Sequence, residues 1–447
     1  MIQSPSSTDL FKQVEIHRKK REAILSSLRS GVVPHIGLEY IQVGRYHETQ
    51  ALLKDLDTIS DGGASVRFIL GQYGSGKTFF LNLIKTLAVE KKLVVVNADI
   101  TNDHRLCGAG GKGRALYAHL MKNMSTRSSR EGGALDSILE NFISSLNNEE
   151  NDKDSINSSL QYKIKKRITN ICTQVNAYDF ASILNIYYLA YQSNNDYRKN
   201  NVLRWLRAGF TTKSEANAEL GVKSTIDDHN IIDYLKLMAH FVRMAGYKGL
   251  IVNIDEMGVL TNNLSSTIAR KANYEIILRI VNDCLQGDAE SIGFIFAGVD
   301  EFIDDPKRGL YSYEALASRL ERNPYLRDGL INYSGPVIRL KNLTPDEIHL
   351  LLYRIRFVFA GGDPQKYIVP DEAITTFMAR SNNTLGSEYY RTPREAVKSF
   401  VSFLDLVDQN KDVPWNDILK NVKIEKTPLE ESTPTPLDDD DFTSFHL

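Results

Sequence analysis

Eight residues, Gly71-Gln72-Tyr73-Gly74-Ser75-Gly76-Lys77-Thr78, form a glycine-rich turn closed by a lysine and a threonine. Glycines at that spacing let backbone N–H groups turn inward on an anion without Cβ clashes, and a helix starting at the end of the turn adds its N-terminal dipole. The apolar run Val66–Leu70 precedes the turn and the helix-like Phe79–Lys85 follows it, so the stretch reads as strand, phosphate loop, helix. In that setting the backbone from Gly71 to Phe79 cradles phosphates, Lys77 reaches the β- and γ-phosphates, and the Thr78 hydroxyl meets Mg²⁺. ATP and Mg²⁺ are the cofactors expected.

A phosphate loop alone binds nucleotide; hydrolysis needs a second element. The segment Leu250-Ile-Val-Asn-Ile-Asp255-Glu256 is an apolar strand ending in two adjacent carboxylates. Asp255 is the expected metal residue, and Glu256 the base that polarises the attacking water, so the chemistry expected is ATP hydrolysis. Asn97, at the end of an earlier apolar run, resembles an asparagine that in some related P-loop ATPases restrains the catalytic glutamate, which implies a hydrogen bond to Glu256.

The elements that must hold these groups follow from periodicity. Strands are expected at Val66–Leu70, Leu93–Asn97, Leu250–Ile254, Ile292–Ala297 and Val337–Leu340, separated mostly by helical patterns, which implies an α/β fold with a mainly parallel sheet. The 447 residues divide into an N-terminal helix and box (1–60), a P-loop ATPase core (61–340), a C-terminal helical lid (341–423) and a tail (424–447). Between the second and third strands runs a large, mostly helical insertion, about 103–228, far longer than an ordinary crossover. Its helices are expected near Ala134–Leu146, Leu160–Val175, Tyr178–Tyr191 and Asn195–Ala208. Thr344 and Glu347 are spaced as a capping box opening the lid.

The net charge of −2 conceals an acidic tail, with seven Asp or Glu against one Lys after residue 423, and a weakly basic body. Lys163, Lys165, Lys166, Arg167, Arg198, Lys199, Arg204 and Arg207, interleaved with Tyr197 and Trp205, either contact a phosphate backbone or form a solvated helix face. The glycine-rich segment with Arg105, Lys112 and Arg114 is either a second anion cradle or a plain loop. Cys107, Cys172 and Cys284 are too scattered for a disulfide framework or a zinc site. The N-terminus has no signal-peptide core and no apolar run approaches a membrane span, so a cytoplasmic protein with no membrane partner is expected.

Further segments resemble parts of AAA+ ATPases. Val43-Gly44-Arg45 resembles the box that folds over adenine. Arg319, with Arg322 as alternate, lies where that class places an arginine finger, which implies ATP sites shared between subunits of a homo-oligomer. Arg394 in Arg391-Thr-Pro-Arg394 resembles the sensor 2 arginine near the γ-phosphate. Asp300 stands where a polar sensor follows the strand, although that class usually has Asn or Thr there. Leu28-Arg-Ser-Gly-Val-Val-Pro34, Gly37-Leu-Glu-Tyr-Ile-Gln-Val-Gly-Arg45, the phosphate loop, Ala115-Leu-Tyr117 and the Asp-Glu strand together are similar to the ATP-binding proteins of BREX-type phage-defence systems. That resemblance covers roughly Arg21 to Phe403. It implies an antiviral defence ATPase with other proteins of a defence system as partners, coupling ATP turnover to action on double-stranded DNA. The alternative is a nucleotide-dependent switch of protein assembly.

Overall fold

In a computed structural model, residues 15–150, 177–321, 332–385 and 392–421 are described. The helix expected at Leu160–Val175, the basic residues 163–167, Cys172, Arg322, Arg391 and the acidic tail lie outside them. The chain forms two compact units.

The larger unit holds His47–Leu70 and Ile84–Ile338. Its centre is an all-parallel sheet of five strands: β1 (Ala64–Leu70), β2 (Val94–Asp99), β3 (Leu250–Asp255), β4 (Ile292–Gly298) and β5 (Val337–Arg339), in the order β2-β3-β4-β1-β5. All five expected strands are present, most of them a residue or two longer than the apolar runs. β4, late in sequence, lies between β1 and β3, as an additional-strand ATPase requires. Register aligns Ile69 of β1 with Ala297 of β4, and Phe296 of β4 with Ile254 of β3. The C-terminal ends of β1 and β3 therefore emerge on one sheet edge, two strand spacings apart, on the order of 10 Å. That edge is where open parallel sheets place ligands.

Sheet and insertion share one core. Val94, Val96, Val252 and Phe294 pack in the same cluster as Phe142, Phe180, Trp205 and Phe241 from the helices Leu135–Glu150, Ala177–Gln192, Asp196–Leu206 and Ile231–Met244. Trp205 stacks edge-on to Tyr234 at 5.4 Å and donates its indole N–H to the Ser224 carbonyl at 3.0 Å. At 1% exposure it is a core residue, not a platform for bases.

The smaller unit holds the described residues of Met1–Tyr46, Gly71–Leu83 and Arg339–Thr433. Its helices Arg18–Arg29, Pro345–Phe359, Asp371–Leu385 and Pro393–Gln409 bury Ile24, Leu352, Phe377 and Phe400 in a second core. The N-terminal helix begins at Arg18 and joins the C-terminal helices. Arg29 forks onto Asp405 with bonds of 2.7 and 2.8 Å. The capping box read from sequence is formed: Glu347 N–H donates to Thr344 Oγ1 at 3.2 Å, and Thr344 N–H to Glu347 Oε2 at 2.8 Å, with Pro345 in the first turn. Among the described residues no helix is long and apolar enough to cross a membrane.

Candidate functional site

The loop 71–78 leaves β1 and runs directly into the helix Lys77–Glu90. Gly74 and Gly76 have φ of +77° and +94°, the left-handed region that explains glycine at both places. A Cβ on Gly74 would stand 2.7 Å from Thr392, whereas one on Gly76 would project into open space with nothing within 4 Å. That open cradle, with the Ser75 Oγ buried and without a hydrogen-bond partner, is what a bound phosphate needs. Lys77 Nζ donates to the carbonyls of Gly71 and Gln72 at 2.8 and 3.0 Å, so the ammonium already curls over the loop. These residues fit the triphosphate of a nucleotide.

Three side chains of the smaller unit brace that loop. Arg45, at φ +59° after Gly44 at +63°, donates from Nη2 to the Ser75 carbonyl at 3.1 Å and to the Lys341 carbonyl. Its neighbour Val43 is buried in the second core. The box expected to cover adenine buttresses the loop through Arg45, a role its spacing did not suggest. Asn342 Nδ2 reaches Gln72 Oε1 at 3.3 Å. Arg394, first turn of the helix Pro393–Gln409, donates from Nη1 to the Tyr73 hydroxyl at 3.0 Å and from Nε to the Gly31 carbonyl at 2.8 Å. Phe79 packs against the second core.

In the larger unit β3 ends at Asp255, which is buried, while Glu256 just beyond the strand is exposed. Glu256 N–H donates to Asp255 Oδ1 at 2.8 Å, and the Glu256 backbone stands at φ +57°. A non-glycine residue in that region carries roughly 1–2 kcal/mol of strain. Glu256→Gly should therefore raise stability by about 1 kcal/mol in denaturant titration, after the entropy cost of glycine, while abolishing any hydrolysis. An unchanged or lowered midpoint would show that the strain is absent.

Asn97 is not the partner of Glu256 that the sequence suggested. Its Oδ1 accepts from Asn253 Nδ2 at 3.0 Å across β2 and β3, where the two asparagines are in register. Asn253 Oδ1 is buried without a hydrogen-bond partner. Reading β2 and β3 side by side would have found the pair, since Val-Asn97-Ala-Asp99 and Val-Asn253-Ile-Asp255 share one pattern. Asp300 begins a short helix, Glu301–Asp304, beyond the end of β4. Arg319 bonds within its own unit, from Nε to Asn282 Oδ1 at 2.5 Å and from Nη1 to the Ala315 carbonyl at 2.9 Å.

Among the described candidate nucleic-acid residues, three of the four cations are held in ion pairs. Lys199 pairs with Asp196, Arg204 with Glu215 and Arg207 with Asp136, each at 2.7 Å, and exposed Tyr197 donates to Glu219 Oε2 at 2.7 Å. In the glycine-rich segment Arg105 is buried, Lys112 pairs with Asp103 at 3.1 Å, and Arg114 donates to the Ala208 carbonyl at 3.2 Å. Among the described residues no group of three or more His, Cys, Asp or Glu could hold a metal ion unaided.

A family profile described as BREX system ATP-binding protein BrxC/D matches residues 16–423. No curated protein matches the chain.

Proposed function

Because the chain belongs to the BREX system ATP-binding protein BrxC/D family, we propose that it hydrolyses ATP at the loop Gly71–Phe79 and couples turnover to action on DNA within a phage-defence assembly. The observation that carries the hydrolytic half is the sheet register, which brings the Asp255-Glu256 end of β3 and the loop end of β1 to one sheet edge. Lys77 and the loop amides hold the phosphates. Thr78 and Asp255 would hold Mg²⁺, which when bound neutralises charge on the β- and γ-phosphates. Glu256, exposed at the strand end, takes the proton of the attacking water. Arg394 reports the γ-phosphate to the helices of the smaller unit. Arg319 is the candidate finger across a homo-oligomer interface, once released from Asn282.

The DNA half rests on family membership, since three of the four described basic candidates, Lys199, Arg204 and Arg207, are held in ion pairs. That same neutralisation favours the second reading, a nucleotide-dependent switch that changes protein assembly. Phosphate release with and without double-stranded DNA, at two salt concentrations, separates the two. Glu256-dependent stimulation that fades with salt is expected for action on DNA. Turnover indifferent to DNA would leave the assembly switch.

A further inference from the structure

The phosphate loop carries one large side chain that phosphate binding does not call for. Tyr73 stands at its third position, directly before Gly74, and is 68% exposed. A tyrosine ring set in water on a glycine-rich turn gains little from burial, so its use must lie in what it touches. It touches Arg394 twice. The hydroxyl accepts from Nη1 at 3.0 Å, and the guanidinium carbon lies 5.6 Å from the ring centroid, within cation–π range. The Gly31 carbonyl takes the Nε proton from the other side at 2.8 Å. Two hydrogen bonds and one ring thus fix a side chain that is otherwise long, flexible and exposed. The approach is close because Thr392 lies against Gly74, where a Cβ would meet it at 2.7 Å.

The contact leaves chemistry to spare. Arginine has five N–H donors and these bonds use two, so three remain for a phosphate. Held there by Tyr73, Arg394 offers a charged fork at the rim of the loop, matched to the terminal oxygens of a polyphosphate.

We propose that Tyr73 is a positioning residue that holds Arg394 at the mouth of the phosphate loop, so that the two together distinguish nucleoside triphosphate from diphosphate. The inference rests on the ATP-site reading above. Because ADP ends before the γ-phosphate, losing the pair weakens ATP binding and spares ADP.

The test is equilibrium binding of fluorescently labelled ATP and ADP with Mg²⁺, in a Glu256→Gln background so that ATP survives. Tyr73→Phe, Arg394→Ala and the double variant are compared with that background. Tyr73→Phe, which keeps the ring and removes the hydroxyl, should cut the preference for ATP over ADP about five- to tenfold, with ADP affinity changed less than twofold. Arg394→Ala should cut it at least as far, and the double variant no further than Arg394→Ala alone, because both substitutions break one unit. An unchanged preference in Tyr73→Phe, losses that multiply in the double variant, or equal weakening of ADP and ATP would each overturn the inference while leaving the ATP site standing. Failure of the background protein to bind either nucleotide would instead overturn the ATP-site reading, and this inference with it.

Discussion

Glu256→Gln should bind ATP as tightly as the parent protein and hydrolyse it at least about a hundredfold more slowly, the scale lost with a general base. The substitution is close to a pure test of chemistry. Glutamine matches glutamate in size, and the side chain at 256 is exposed, so packing is untouched. The backbone stays at φ +57° with its N–H on Asp255 Oδ1, so the carboxylate of Asp255 keeps its direction. What disappears is the charge that polarises water. Filter-trapped radiolabelled ATP beside released phosphate reads both halves at once. Turnover at the parent rate would remove Glu256 from the mechanism.

Lys77→Ala should weaken ATP binding by about a hundredfold or more, which corresponds to about 2.7 kcal/mol. The size follows from charge-assisted hydrogen bonds to phosphate oxygens, each worth roughly 1.5–3 kcal/mol. The loop itself should survive the loss of the Lys77 Nζ bonds to the carbonyls of Gly71 and Gln72, because Arg45, Asn342 and Thr392 continue to brace it. Thermal unfolding without nucleotide should therefore match the parent, and only the rise in melting temperature on adding ATP should vanish. A retained rise would place the nucleotide elsewhere.

The parts legible in the sequence were those decided by neighbours in the chain. The loop 71–78 follows from its own glycines, the capping box from Thr344 and Glu347 three residues apart, and the strands from apolar runs that a doubly covered parallel sheet demands. Illegible parts were decided across long separations. Nothing near Arg29 announces Asp405, nor does the pattern around Arg18–Arg29 say that its apolar face meets the helix Pro393–Gln409. Trp205 among arginines read as an exposed aromatic because helix Asp196–Leu206 has its charges on one face and its core contacts on the other. Arg45 was legible as a motif residue but not as a brace, since its partners at Ser75 and Lys341 depend on how the loop and the segment after β5 fold. The Asn97–Asn253 pair was legible only by aligning Val-Asn97-Ala-Asp99 with Val-Asn253-Ile-Asp255, because apolar runs alone do not fix strand register.

The measurement that bears most directly on the central claim is steady-state phosphate release from Mg·ATP by the purified parent protein beside Glu256→Gln and Lys77→Ala. The account predicts sustained release by the parent alone, with Glu256→Gln holding unhydrolysed ATP and Lys77→Ala holding none. Release at the parent rate by both variants would contradict it.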